Sequence, residues 1–148
     1  MMRKLSLLAA VVLGMVASAS AQLELSGTWG LVTLDSNVPV PRGGEISMVI
    51  KHTGNEWIFS RTRVNEGKAR TVDEAFTVDG LEHTDSEKFR YKGIREGDTI
   101  VISGNWLTHN MSRKLSYGLS ADGKVLTVTD VIKSLESEAN VTQVYDRK

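Results

Sequence analysis

Most of this chain alternates apolar with polar or small residues at a period of two, in short segments separated by turns that contain glycine. In one such segment, Leu115, Tyr117 and Leu119 are separated by lysine, serine and glycine. Because successive side chains of a strand point to opposite faces, this pattern predicts strands with one buried face, as in antiparallel sheets. Nine strands are predicted, at residues 23–33, 45–52, 56–64, 68–77, 87–93, 98–104, 112–119, 124–132 and 140–147.

The segments between these strands are typical of turns rather than of helices. Asp122-Gly123 places glycine where a positive φ is inexpensive, residues 35–44 hold both prolines of the chain, and residues 133–140 are predicted to be a hairpin loop. Open sheet edges promote aggregation, so this many short strands must close on themselves or form two sheets. We therefore predict an all-β fold, an antiparallel up-and-down barrel of about 8–10 strands that holds side chains or one small ligand.

The first residues have the three parts of a secretory signal peptide. Two basic residues are followed by a 12-residue apolar run at 5–16 and by Ala19-Ser20-Ala21, a typical cleavage pattern. The apolar run is shorter than the roughly 20 residues that a membrane-spanning helix needs. We expect residues 1–21 to be cleaved after Ala21, which leaves one domain at 22–148, secreted or periplasmic and without a membrane anchor.

The composition excludes several classes of function. Lysine plus arginine and aspartate plus glutamate each number 18, so the chain lacks the excess of positive charge expected of a nucleic-acid-binding protein. The chain has no cysteine, which excludes disulfides, thiolate metal sites, cysteine nucleophiles and a lipid-modified cysteine at the cleavage point. No motif for a cofactor is found, and none is predicted.

Three segments carry a resemblance to a known family. Leu25-Ser26-Gly27-Thr28-Trp29 resembles the Gly-x-Trp signature in the first strand of lipocalins. Residues 119–128 resemble the penultimate hairpin, and residues 143–148 the last strand, of small secreted bacterial lipocalin-like proteins, which are calycin-type barrels. The resemblance implies that Gly27 and Trp29 form the structural signature, that Trp29 closes the barrel floor, and that Arg147 stacks over it.

The chain also departs from that family. The second lipocalin signature, Thr-Asp followed closely by an aromatic residue, is not clearly present, since Thr84-Asp85 precedes Phe89 by a longer gap. The outer helix of vertebrate lipocalins has no counterpart either. Fatty-acid-binding proteins are a poorer match, because they insert two helices after the first strand and lack a signal peptide.

Two groups of residues are candidates for binding a ligand. Trp57, Phe59 and Arg61 share one face of a predicted strand, with Arg63 next in line. Inside a barrel they would offer apolar walls and a guanidinium fork for a carboxylate. The alternative is that the arginines lie in water at the rim.

The second group is Trp106, Leu115 and Tyr117, which lie near a predicted hairpin. The Tyr117 hydroxyl would orient a ligand if the group faced a cavity. The alternative reading is ordinary core packing, because tyrosine commonly buries its ring and leaves its hydroxyl in water.

No catalytic or metal-binding residues are predicted. His52, His83 and His109 are too far apart in sequence for a metal-ligand motif, residues 82–87 are expected to form a solvated acidic loop, and no nucleophile motif is found. Asn110 and Asn140 begin glycosylation sequons.

The function expected from the sequence is therefore the binding of a small apolar or amphipathic ligand inside the barrel. A protein-binding or inhibitory barrel that acts through loops such as residues 35–44 is one alternative. A calycin-like enzyme with an acid or base in its cavity is the other, and it would be favoured by a buried His52 paired with a carboxylate.

Overall fold

The computed structural model describes residues 24–40 and 43–148, and this part of the chain forms one ten-stranded antiparallel sheet. The expected signal peptide at 1–21 lies outside the described residues. Within them, no helix is long and apolar enough to cross a membrane. The strands are β1 Gly27–Ser36, β2 Glu45–Thr53, β3 Glu56–Asn65, β4 Lys68–Thr77, β5 Glu82–Thr84, β6 Phe89–Glu96, β7 Thr99–Trp106, β8 Ser112–Leu119, β9 Val125–Lys133 and β10 Glu138–Arg147.

The strand order around the sheet is β4-β3-β2-β1-β10-β9-β8-β7-β6-β5. Strands that follow each other in sequence are therefore neighbours in the sheet, except for β4 and β5, and β1 also pairs with β10. This is the predicted up-and-down topology. The turns after β2, β6 and β8 lie at one end of the sheet, together with residue 24 and residue 148, and we call this end the floor. The turns after β3, β7 and β9 lie at the opposite end, which we call the mouth.

The sheet closes where the end of β4 and the turn after it cross onto β6. Near the end of β4, the backbone N–H of Thr77 donates to the hydroxyl of Tyr91 at 2.8 Å, and that of Gly80 donates to the carbonyl of Gly93 at 2.8 Å. A Cβ atom at Gly93 would lie only 2.9 Å from the carbonyl oxygen of Thr77, so the close crossing of the two segments needs glycine there. The edges are therefore joined at the floor end by side chains and turns rather than by a continuous ladder.

Both boundaries of the first predicted strand were wrong for physical reasons, and β6 runs to Glu96 although its predicted strand ends at residue 93. The first strand begins at Gly27 rather than at residue 23, because Leu25 is fully buried and its carbonyl accepts a hydrogen bond from the indole N–H of Trp29 at 3.0 Å. It continues to Ser36 because pairing with β10 extends that far, past a bulge between Leu31 and Thr33.

The short strand β5 was not predicted, since it begins the acidic segment that the sequence analysis assigns to a loop. Its three residues pair with Arg90–Lys92 of β6, and no alternation of apolar residues marks it. The carboxylate of Asp85 then accepts hydrogen bonds from the backbone N–H groups of Glu87 and Phe89, which turns the chain into β6. The hairpin loop predicted between β9 and β10 is present at 134–137.

Aromatic side chains fill the barrel interior near the floor. Phe59 of β3 and Tyr117 of β8 stack with their ring centroids 3.9 Å apart, although their strands lie on opposite walls. Trp57 stacks on Phe59 from the floor side at 6.2 Å, and Phe76 meets Tyr91 edge to face at 5.2 Å. This aromatic layer divides the interior into a packed lower part and an open upper part.

Candidate functional site

A cavity of about 550 Å³ occupies the barrel interior between the aromatic layer and the mouth. Phe59, Leu115 and Tyr117 form its apolar bottom, with Ile46 and Met48 on one side. Strands β5, β6 and β7 contribute no residue to its wall. The other residues that line the cavity are Leu34, Val40, Arg61, Arg63, Asn65, Lys68, Arg70, Val72, Glu74, Arg113, Val128, Asp130, Val141 and Gln143.

The upper wall of the cavity is charged because every second residue of a strand faces inward, and near the mouth these inward-facing residues are charged instead of apolar. On β3, residues 59, 61 and 63 face inward, so Arg61 and Arg63 follow Phe59 toward the mouth. Arg70 on β4 lies directly opposite Arg63, and Val72 lies opposite Arg61. The wall formed by β3 and β4 is therefore cationic where it approaches the mouth.

Arg113 of β8 joins two walls of the cavity through a pair of carboxylates. Its Nη1 and Nη2 donate to Glu74 of β4 at 2.6 and 3.2 Å, and its Nε and Nη2 donate to Asp130 of β9 at 2.9 and 2.8 Å. Burial by itself would lower the pKa of Arg113, but its hydrogen bonds to Asp130 and Glu74 outweigh burial and raise that pKa. Arg113 is thus charged and ion-paired with both carboxylates, and it connects β4 to β8, between which there is no backbone ladder.

Arg61 is linked to a second polar group of the interior. Arg61 is an exposed residue of the cavity wall whose positive charge acts on the hydroxyl of Tyr145, and that hydroxyl donates to Oε1 of Gln143 at 2.7 Å. Burial raises the pKa of Tyr145 to about 12, although the charge of Arg61 opposes the shift. Within residues 24–40 and 43–148, no carboxylate forms an ion pair with Arg61. Its positive charge is therefore available to an anion that enters the cavity.

The structure brings four of the six predicted ligand-binding residues together, namely Phe59, Arg61, Leu115 and Tyr117. Trp57 does not line the cavity, because it lies one step nearer the floor and is covered by Phe59 and by the stacked ring of His52 at 4.2 Å. Trp106 does not line it either. Its ring centroid lies 4.7 Å from that of Phe89, and both residues belong to strands that form no wall of the cavity.

The predicted structural signature lies together at the floor. Trp29 is fully buried, and the guanidinium carbon of Arg147 lies 4.3 Å from its ring centroid. Gly27 has φ +136°, and a Cβ atom there would approach Nη1 of Arg147 to 2.8 Å. A side chain at residue 27 would collide with the arginine that covers Trp29, which explains the glycine of the Gly-x-Trp motif.

Apart from Arg61 and Arg63, sequence reasoning missed the charged residues of the site. Arg70, Glu74, Arg113 and Asp130 line the cavity, as does Gln143. Glu74 and Arg113 share the parity of the buried residues of their own strands, so extending the alternation through charged positions would have found them.

Two observations concern the alternative functions, catalysis in the cavity and protein binding through the loops. His52 pairs with Glu24, with Nε2 and Oε1 3.0 Å apart, but neither residue lines the cavity. Burial acts to raise the pKa of Glu24, yet hydrogen bonds from Ser26 and His52 outweigh it and lower that pKa. At the mouth, Leu107 and Leu135 are exposed on loops, while the interior beneath them holds the cavity rather than a packed core.

Neither a protein-family model nor a curated protein sequence matches this chain, whereas solved structures resemble it. The REP1-NXSQ fatty acid transporter superposes with a TM-score of 0.60 at 16% identity, over 84% of this chain and 96% of the transporter. Fatty-acid-binding protein 1 of Echinococcus granulosus gives 0.57 at 10% identity, over 83% and 96%. Zebrafish ileal bile acid-binding protein, solved with cholic acid, gives 0.58 at 17% identity, over 83% and 98%.

Two of these structures belong to proteins named for fatty acids, whose fold the sequence alone matches less well. No helix follows β1 among residues 24–40 and 43–148, yet the sheet as a whole resembles theirs. Identities this low concern the fold alone. The chain has the all-β, antiparallel calycin-type barrel fold of these structures, built here from ten strands.

Proposed function

We propose that this protein is a carrier that encloses a small amphipathic molecule with an acidic headgroup. The apolar part of the ligand would lie against Phe59, Leu115 and Tyr117, and its acidic group would accept hydrogen bonds from Arg61. The observation that carries the proposal is the cavity, whose volume of about 550 Å³ combines an apolar bottom with a cationic upper wall. Small-molecule sites commonly have volumes of about 300–1,000 Å³, a mainly apolar lining and a few polar groups that fix orientation.

Two further observations support carriage. The structures of similar fold include proteins named for fatty acids and for bile acid, which are acidic and largely apolar molecules. Residues 1–21 have the pattern of a signal peptide. We therefore propose that the ligand is bound outside the cytoplasm, in the periplasm or the medium.

The test is a chain-length series of saturated fatty acids, titrated into the purified protein by calorimetry at neutral pH. Each methylene group removed from water contributes about 0.8 kcal/mol, so two methylenes should tighten binding by about tenfold until the cavity is full. Dodecanol serves as the uncharged control for dodecanoate, and native mass spectrometry of protein purified from its host would show a co-purified ligand. Absence of binding by every acid of the series, with no co-purified ligand, would contradict carriage.

A further inference from the structure

The positive charges of the cavity wall outnumber the negative ones, although the chain as a whole is balanced. The lining holds five cationic residues and two acidic ones, and both acidic residues are already paired with Arg113. The remaining cationic residues all belong to β3 and β4. Within residues 24–40 and 43–148, neither Lys68 nor Arg70 forms an ion pair.

The register of β3 and β4 gathers these cations into one small area. Arg70 lies directly opposite Arg63, and Lys68 lies opposite Asn65 at the turn. Directly opposite residues have Cβ atoms about 4.5–5.5 Å apart, and two residues along a strand span about 7 Å. Arg61 is thus one step below Arg63, and Lys68 one step above Arg70. Like charges close together on neighbouring strands repel one another, and an anion bound among Arg61, Lys68 and Arg70 would relieve that repulsion.

A single carboxylate leaves most of this charge uncompensated. One carboxylate carries one negative charge, which Arg61 alone can match through a bidentate pair. Arg70 and Lys68 would still lie next to Arg63 without an anionic partner from the ligand. A phosphate monoester carries about 1.5 to 2 negative charges at neutral pH and three strong acceptor oxygens, enough for several donors that converge from two strands.

We infer that the ligand has a dianionic headgroup of the phosphate monoester type, held at the mouth by Arg61, Arg70 and Lys68. This inference rests on the proposed carriage of an amphipathic ligand, and it names the chemical class of the headgroup. The ion pairs of Arg113 keep that residue out of the headgroup site, because its hydrogen bonds to Glu74 and Asp130 use four of its five N–H donors.

The test compares three probes that each contain a twelve-carbon chain, below their micellar concentrations: dodecyl phosphate, its monomethyl ester and dodecanoate, whose carboxylate is the twelfth carbon. The ester keeps the tetrahedral geometry but carries one charge. We expect dodecyl phosphate to bind the purified protein at least about tenfold more tightly than the ester at pH 7.5. Because the second proton binds phosphate near pH 6, this advantage should fall to about threefold or less at pH 5.

The variant that tests the assignment combines Lys68→Gln with Arg70→Gln. We expect it to abolish the advantage of dodecyl phosphate over the ester and to weaken dodecyl phosphate binding more than dodecanoate binding, since the single charge of dodecanoate is matched by Arg61. Its melting temperature should equal or exceed that of the parent, because like charges have been removed. The control combines Lys51→Gln with Lys114→Gln, which removes the same charge from the exposed outer faces of β2 and β8.

The outcomes separate the two proposals. If dodecyl phosphate and its ester bind equally at pH 7.5 while dodecanoate binds, the dianionic headgroup is overturned and carriage stands. An advantage that survives in the Lys68→Gln/Arg70→Gln variant also overturns the assignment. If none of the twelve-carbon probes binds, both proposals fail.

Discussion

The guanidinium group of Arg147 lies over the indole ring of Trp29, with its carbon atom 4.3 Å from the ring centroid. The same group donates hydrogen bonds to the backbone oxygens of Gly123, Ser26 and Glu24 at 2.9, 2.9 and 2.6 Å. One side chain thus holds the last strand, the β8–β9 turn and the segment before β1 together beneath the barrel.

Removing this contact should destabilise the fold. We expect Arg147→Ala to lower the free energy of unfolding by about 2 kcal/mol, since a cation–π contact and several charge-assisted hydrogen bonds are lost. Arg147→Lys should recover only part of this, because one ammonium group cannot reach three carbonyls in the same way. Urea unfolding measures both, and a loss below about 0.5 kcal/mol in the alanine variant would contradict the assigned role.

Gly27→Ala should destabilise through two causes that can be separated. Its φ of +136° is unfavourable for alanine, and the added Cβ would approach Nη1 of Arg147 to 2.8 Å. We expect a loss of about 2–3 kcal/mol. Gly67→Ala is the control for backbone strain, because Gly67 has φ +74° and open space around its Cβ position. In an Arg147→Ala background the cost at Gly27 should fall, and a purely additive double mutant would argue against the close approach.

Arg61→Ala should weaken the binding of an acidic ligand without weakening that of a neutral one. The loss of one charge-assisted hydrogen-bonding group predicts an affinity for dodecanoate lower by about tenfold or more. Dodecanol should bind the variant and the parent equally. Lys51→Ala, on the exposed outer face of β2, removes a positive charge without touching the cavity. An equal loss for dodecanol and dodecanoate would mean that Arg61 acts on cavity shape instead.

Filling the cavity should block binding at little cost in stability. Val72 lines the cavity opposite Arg61, and its side chain is 46% exposed, so Val72→Trp has room to extend into the empty space. We expect binding of dodecanoate to fall at least about tenfold while the melting temperature changes by a few degrees or less. The matched control is Ile58→Trp, on the outer face of β3, where the side chain is 42% exposed. Binding that survives in the Val72 variant would place the ligand elsewhere.

The barrel should lose stability in alkali partly through Tyr145. Burial raises the pKa of Tyr145 to about 12 in the folded state, whereas an unfolded tyrosine titrates near pH 10. The folded state holds the proton more tightly, so this contribution is complete below about pH 10 and is lost between about pH 10 and 12, at up to about 1.4 kcal/mol per pH unit.

The variant that isolates this effect is Tyr145→Phe. It removes the hydrogen bond to Gln143 at every pH, but the free energy of unfolding should then fall less steeply above pH 10. Burial also raises the pKa of Tyr117, so part of the slope should persist. Parallel stability curves for parent and variant from pH 9 to 12 would refute the assignment.

The alternation of apolar residues predicted nine of the ten strands and the up-and-down topology, because a buried face requires a regular pattern wherever the barrel is packed. It missed β5, whose three residues bury little, and it misplaced the start of β1, where Leu25 packs beneath Trp29 instead of pairing. Local sequence carries no signal for either feature, since both depend on contacts with distant strands.

The candidate site was predicted in its apolar half and at Arg61. Alternation identified Phe59, Leu115 and Tyr117 as inward-facing. It also favoured Trp57 and Trp106, which do not line the cavity, because their depth in the barrel depends on the tilt of the strands. Glu74 and Arg113 were missed because charged residues are usually assigned to the outside. Only the approach of β4 to β8 shows that they satisfy each other.

The seam between β1 and β10 has a consequence for the order in which this barrel can fold. At its mouth end the side chain of Asn37 bonds to Glu138, 101 residues later, and at its floor end Glu24 is joined to Arg147, 123 residues later. Contacts that close such long loops form slowly, because the entropy of loop closure is lost before the contacts form. The meander from β6 to β10 is built from short-range hairpins, so we expect it to form first and the seam last. Hydrogen exchange during refolding would then show late protection of the β1 amides, and a chain lacking β10 would have neither a closed wall nor a covered floor.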